Sequence, residues 1–71
     1  MNLTPREKDT LEYIIEFKKV NGYPPTIREI CVGIRTKSQT HVQTMLETLA
    51  EKSYIKYNKG KHRSIKVIKF K

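Results

Sequence analysis

Between Lys37 and Thr44 the chain carries Ser38, Gln39, Thr40, His41 and Gln43, a concentration of short side chains that donate and accept hydrogen bonds. Such groups suit the donor and acceptor pattern of base edges better than the Glu and Lys that fill idle helix surfaces. A second concentration, Asn58-Lys59-Gly60-Lys61-His62-Arg63, gathers basic side chains around one glycine, and Lys59, Lys61 and Arg63 fit phosphate oxygens. Lys37 and Arg28 are further candidates for backbone phosphates. This is the chemistry of recognition. The parts needed to make or break bonds are missing: Cys31 is the sole cysteine, His41 and His62 match no common zinc spacing, and there is no glycine-rich phosphate loop. The sequence therefore predicts no catalytic residue, no metal, no cofactor and no enzyme. The plainer alternative is an ordinary polar helix surface beside a solubilising basic segment.

Those residues need elements to hold them. Thr4-Pro5-Arg6-Glu7 combines an N-cap, a proline in the first helical position and a capping-box carboxylate, and starts a helix over about 5–20. Leu11, Ile14, Ile15 and either Phe17 or the stem of Lys18 fall on its inward stripe. Asn21-Gly22 ends it, and Tyr23-Pro24-Pro25 is extended or turning because proline removes a donor and restricts its predecessor. Thr26-Ile27-Arg28-Glu29 repeats the capping box and opens a helix over about 27–34, with Ile27, Ile30, Cys31 and Ile34 inward and Cys31 a packed thiol. Ser38 caps a third helix over about 39–52. Its core stripe is Val42, Met45, Leu46 and Leu49; Thr40, Thr44 and Glu47 lie opposite, with Gln43 and Thr48 at the flanks.

From Tyr54 the period changes to about two, which predicts strands over about 54–57 and 64–68 joined as a hairpin across Gly60. Alternation slips at Val67-Ile68, suggesting a bulge, a strand end or a tail that leaves the sheet.

Charge follows the same division. Fifteen Lys and Arg against seven Asp and Glu give +8; residues 1–35 carry +1 and residues 36–71 carry +7. After Glu51 eight basic residues follow and no carboxylate. That asymmetry points to a polyanion, since neutralised phosphates release condensed counterions. No run approaches the roughly 18–20 apolar residues of a membrane span, so no membrane partner is expected. A reducing cytoplasm suits the lone thiol, with association to the nucleoid following from the anionic partner.

Helix, short helix, turn, helix and basic hairpin spell one α+β, mainly α, domain over residues 1–71: a winged helix-turn-helix of three helices followed by a two-stranded β-hairpin wing. A major groove about 12 Å wide admits one helix, so the third helix is expected to read double-stranded DNA while the wing contacts its backbone. The alternative class is a protein-interaction module, which the carboxylate-free basic segment disfavours.

Leu3-Thr4-Pro5-Arg6, the segment Gly22-Tyr23-Pro24-Pro25-Thr26-Ile27-Arg28-Glu29-Ile30, the helix end from Leu46 to Lys52 and Arg63-Ser64-Ile65 together resemble the N-terminal DNA-binding domain of LexA-type repressors. The likeness spans about residues 3–68, and the segment from Gly22 to Ile30 is its specific part. It implies a transcriptional repressor that binds an inverted repeat as a homodimer, with Ser38, Gln39, Thr40, His41, Gln43 and Thr44 against bases or phosphates. It also allows a small protein partner that modulates a host LexA-like repressor. Arg35 stands near a point where the family usually has Gly, which implies a reshaped turn, and Ser53 stands where Gly often follows the third helix, which implies a different C-cap. Family repressors continue into a self-cleaving Ser-Lys peptidase and dimerisation domain. The initial Met1 and the tail from Lys66 to Lys71 lean toward a short regulator rather than an excised domain.

Overall fold

The computed structural model describes residues 3–58 and 65–68. Three helices, α1 (Pro5–Asn21), α2 (Ile27–Gly33) and α3 (Gln39–Glu51), precede a two-stranded antiparallel sheet of β1 (Ile55–Lys56) and β2 (Lys66–Val67). Both early helices start with a complete capping box. Thr4 Oγ1 accepts from Glu7 N at 3.2 Å while Glu7 Oε1 accepts from Thr4 N at 3.0 Å. The Thr26–Glu29 pair repeats this at 3.2 and 2.8 Å. Ser38 caps α3 by accepting from His41 N at 3.1 Å. Each cap satisfies donors that a helix start leaves bare and contributes about 1 kcal/mol.

The core takes Leu11 and Ile14 from α1, Ile30 and Cys31 from α2, and Val42, Met45, Leu46 and Leu49 from α3, closed below by Tyr54, Ile55 and Ile65. The α3 stripe is therefore the one its spacing predicts. Around α1 the inward side is rotated from the expected one. Ile15 and Phe17 are half-buried and Lys18 is exposed, whereas Glu7 and Thr10 are buried. Thr10 tolerates burial because its hydroxyl donates to the Arg6 carbonyl at 2.9 Å, beside the Met45 sulfur at 3.6 Å. Glu7 tolerates it because Lys52 reaches across from the end of α3. Ile27 and Ile34 are only partly buried against the core.

The helix ends share one device, a residue in the left-handed region just past the last turn. After α1 it is Gly22, φ 83°, whose N–H donates to the Lys18 carbonyl at 2.8 Å. After α2 it is Arg35, φ 59°, and after α3 it is Ser53, φ 66°. Thr36 N donates to Cys31 O at 2.9 Å and Arg35 N to Val32 O at 3.3 Å; Tyr54 N donates to Leu49 O and Ser53 N to Ala50 O, both at 3.0 Å. These paired bonds are Schellman motifs. Arg35 and Ser53, at the two places where the resemblance sets glycine, both adopt the left-handed conformation.

The sheet pairs Ile55 with Val67 and Lys56 with Lys66. Ile55 and Ile65 turn inward, Lys56, Lys66 and Ile68 outward. β2 ends at Val67, which is the strand end among the alternatives at Val67-Ile68, and Ile68 N still donates to Tyr54 O at 2.8 Å in the same register. Among the described residues no helix is long and apolar enough to cross a membrane.

Candidate nucleic-acid interface

α3 has two sides with different work. Val42, Met45, Leu46 and Leu49 are buried, which fixes the rotation of the helix and turns Gln39, Thr40, His41, Thr44 and Glu47 outward, with Gln43 and Thr48 half-buried at the margins. A buried stripe on one side determines by elimination what the other side presents, because successive residues advance about 100° around the axis.

The approach to α3 has contacts of its own. Beyond the Arg35 turn, Ser38 N donates to Thr36 Oγ1 at 3.3 Å, and the Cys31 thiol lies 3.9 Å from the Ser38 carbonyl. Lys37 and Ser38 are exposed on this connection, immediately before the first turn of α3. Cys31 thus serves packing between α2 and α3, with its thiol as a weak donor.

The structure brings together Lys37, Ser38, Gln39, Thr40, His41, Gln43 and Thr44 on one connection and two turns of helix. Arg28 is exposed in the first turn of α2, on the neighbouring element. Lys59, Lys61 and Arg63 lie outside the described residues. The strands carry two cations that the sequence reading did not single out. Lys56 and Lys66 sit directly opposite each other on the exposed face of the sheet. Like charges in that position repel. The signal was present in the alternation Ile55-Lys56 and Lys66-Val67, but only the register makes them neighbours.

A row of rings runs from Tyr13, half-buried against Gly33 of α2, through Phe17 to Tyr23, each neighbouring pair 6.0 Å apart between centroids. The burial of Tyr13, reinforced by the charge of Glu29, raises its hydroxyl above the usual phenol value. Among the described residues no group of three or more His, Cys, Asp or Glu is placed to hold a metal ion.

A tight turn between α2 and α3, a bracing α1 and a two-stranded sheet after α3 define a winged helix-turn-helix protein. Residues 1–64 match the LexA DNA binding domain model, and the chain belongs to that family. It is 40% identical over 68 residues to the LexA repressor of Desulfatibacillum aliphaticivorans, covering 96% of this chain and 34% of the relative. The LexA repressor of Carboxydothermus hydrogenoformans is 38% identical over 66 residues, 93% of this chain and 32% of its own length. That of Moorella thermoacetica is 37% identical over 67 residues, 94% and 33% respectively. The chain spans about a third of the length of these relatives, at their DNA-binding domain.

Proposed function

We propose that this chain is the DNA-reading part of a transcriptional repressor, a regulator rather than an enzyme, and acts on double-stranded DNA. One observation carries the reading furthest: the helix preceded by the left-handed turn presents Gln39, Thr40, His41 and Thr44 outward while its opposite stripe is locked in the core. In this reading α3 enters the major groove of an operator half-site, and Ser38 and Lys37 approach a flanking phosphate. Arg28, the Lys56–Lys66 pair and the wing residues Lys59, Lys61 and Arg63 contact the backbone. Phosphate contacts set position without reading sequence, whereas base contacts discriminate. Two copies on an inverted repeat would match the two-fold symmetry of an operator, and such a protein would reside on the nucleoid.

A second reading, a module that contacts another protein, has its own support in Val20 and Val32, each 75% exposed, and in Tyr23, 45% exposed at the end of the ring row.

Selection from a randomised duplex pool at physiological salt, with the mass of the complex on the winning site, separates the two. Enrichment of an inverted repeat occupied by two copies is the expected result. Absence of any enriched sequence would overturn the operator-reading function and favour the protein-contact module.

A further inference from the structure

The chain contains seven threonines, and all lie among the described residues. Five have an intramolecular task for the hydroxyl. Thr4 and Thr26 cap helices, Thr36 accepts from Ser38 N, Thr10 donates to Arg6 O, and Thr48 donates to Thr44 O. Thr40 and Thr44 have none among the described residues. Both are exposed, and both stand inside α3. Threonine is a poor helix former, and in a helix its hydroxyl commonly turns back on a carbonyl of the preceding turn, as Thr10 and Thr48 do. Two exposed threonines without that bond are not explained by the stability of the helix.

Each is preceded by a glutamine. Gln39-Thr40 and Gln43-Thr44 are the same dipeptide repeated at a spacing of four residues, so the second copy lies one turn along the same side, about 6 Å further up the axis. In a helix lying along the major groove, side chains about one turn apart meet successive bases, which sets the two copies against neighbouring base pairs. α3 contains no Lys or Arg, the side chains that most often read guanine. Glutamine can bond adenine N6 and N7 together, and the threonine methyl fits the thymine C5-methyl group.

We propose that the Gln-Thr repeat selects A·T base pairs, with the Thr40 and Thr44 methyl groups against two thymine methyls and the Gln39 and Gln43 amides against adenine edges. This rests on the DNA-reading function above and gives its operator a composition: a half-site whose centre holds two neighbouring A·T pairs. The threonines act through their methyl groups, which is why their hydroxyls need no fixed partner within the protein.

The test uses the whole 71-residue chain and the duplex enriched from the random pool, resynthesised with uracil in place of thymine at one position at a time. Uracil keeps every hydrogen-bonding edge and removes only the methyl. Two positions in each half-site should lose about fourfold in affinity, the effect of one buried methyl group. Thr40→Ser and Thr44→Ser should each erase the penalty at one of those positions, and Thr40→Val and Thr44→Val should retain it. Circular dichroism establishes that the variants keep their helices, and the uracil series on the unaltered chain decides even if one does not. A half-site built of G·C pairs, or uracil tolerated everywhere while the enriched duplex still outcompetes scrambled DNA, overturns the A·T assignment and leaves the DNA reading standing. Equal binding to all duplexes removes both.

Discussion

Lys52 at the end of α3 sets its Nζ 2.8 Å from Oε1 of Glu7, the same oxygen that closes the capping box at the start of α1. One carboxylate therefore completes a helix start and joins it to a residue 45 positions away in the chain. Both side chains are largely buried, so the pair is less screened than a surface bridge. The first helix is thereby fastened to the element that presents the candidate readers.

This pair makes stability depend on acid. The hydrogen bond from Lys52, followed by that from the Thr4 backbone, holds the Glu7 carboxyl below its ordinary value of 4.5, against a smaller opposing effect of burial. A carboxylate with a lowered value in the folded state stabilises fully above its unfolded value, and that contribution disappears as pH falls through the folded value. Glu7→Gln keeps a capping side chain but removes the charge, and is expected to cost about 1 kcal/mol at neutral pH. Urea midpoints measured between about pH 3 and 7 should converge for the two proteins toward the acid end.

Leu46 is fully buried at the centre of the α3 stripe. Leu46→Ala is expected to cost about 2–5 kcal/mol through reduced burial and a residual cavity. A domain of this size holds only about 3–5 kcal/mol in its core, so the variant should be largely unfolded at 25 °C by circular dichroism.

The two left-handed caps without glycine leave room for improvement. An L-residue in that region carries about 1–2 kcal/mol of strain, partly offset by the greater freedom glycine gains on unfolding. Arg35→Gly and Ser53→Gly should each stabilise by roughly 0.5–1 kcal/mol, read as a rise of several degrees in the melting temperature. Their effects should add, because the two caps belong to different helix ends and share none of the bonds that define them.

Gly33 lies under the ring of Tyr13, where a Cβ would overlap ring carbons Cε1 and Cζ. Gly33→Ala should improve helix propensity yet displace that ring, and with it the tilted ring contact with Phe17. In a double-mutant cycle with Tyr13→Ala the alanine at position 33 should become stabilising. The sign of its effect thus depends on the ring, which thermal unfolding of the four proteins would show.

The proposed phosphate contacts of Lys59, Lys61 and Arg63 are tested by salt. Replacing Lys59, Lys61 and Arg63 with Gln should weaken binding to every duplex and flatten the plot of log affinity against log salt by about 0.9 for each phosphate no longer neutralised. An unchanged slope in titrations from low to physiological salt would place these residues away from the DNA backbone.

Much of the architecture was legible because its signals are local. A capping box needs residues three apart, and the α3 stripe needs only the helical period, so Thr4-Glu7, Thr26-Glu29 and the Val42 to Leu49 face could be read directly. The outward side of α3 followed from its inward side. The sequence by itself therefore determined the three helices, their starts and which side chains α3 turns away from the core. Only the tertiary structure decided the rest, because it depends on residues distant in the chain. Burial of Glu7 requires Lys52, burial of Thr10 accompanies its approach to Met45, and the exposed Lys56–Lys66 pair requires a strand register. The left-handed Arg35 and Ser53 belong here too. No propensity asks for that conformation at either residue; the chain must turn there to bring α3 onto α2 and β1 beneath α3, and the packing of Cys31, Leu49 and Tyr54 holds the backbone against its local preference.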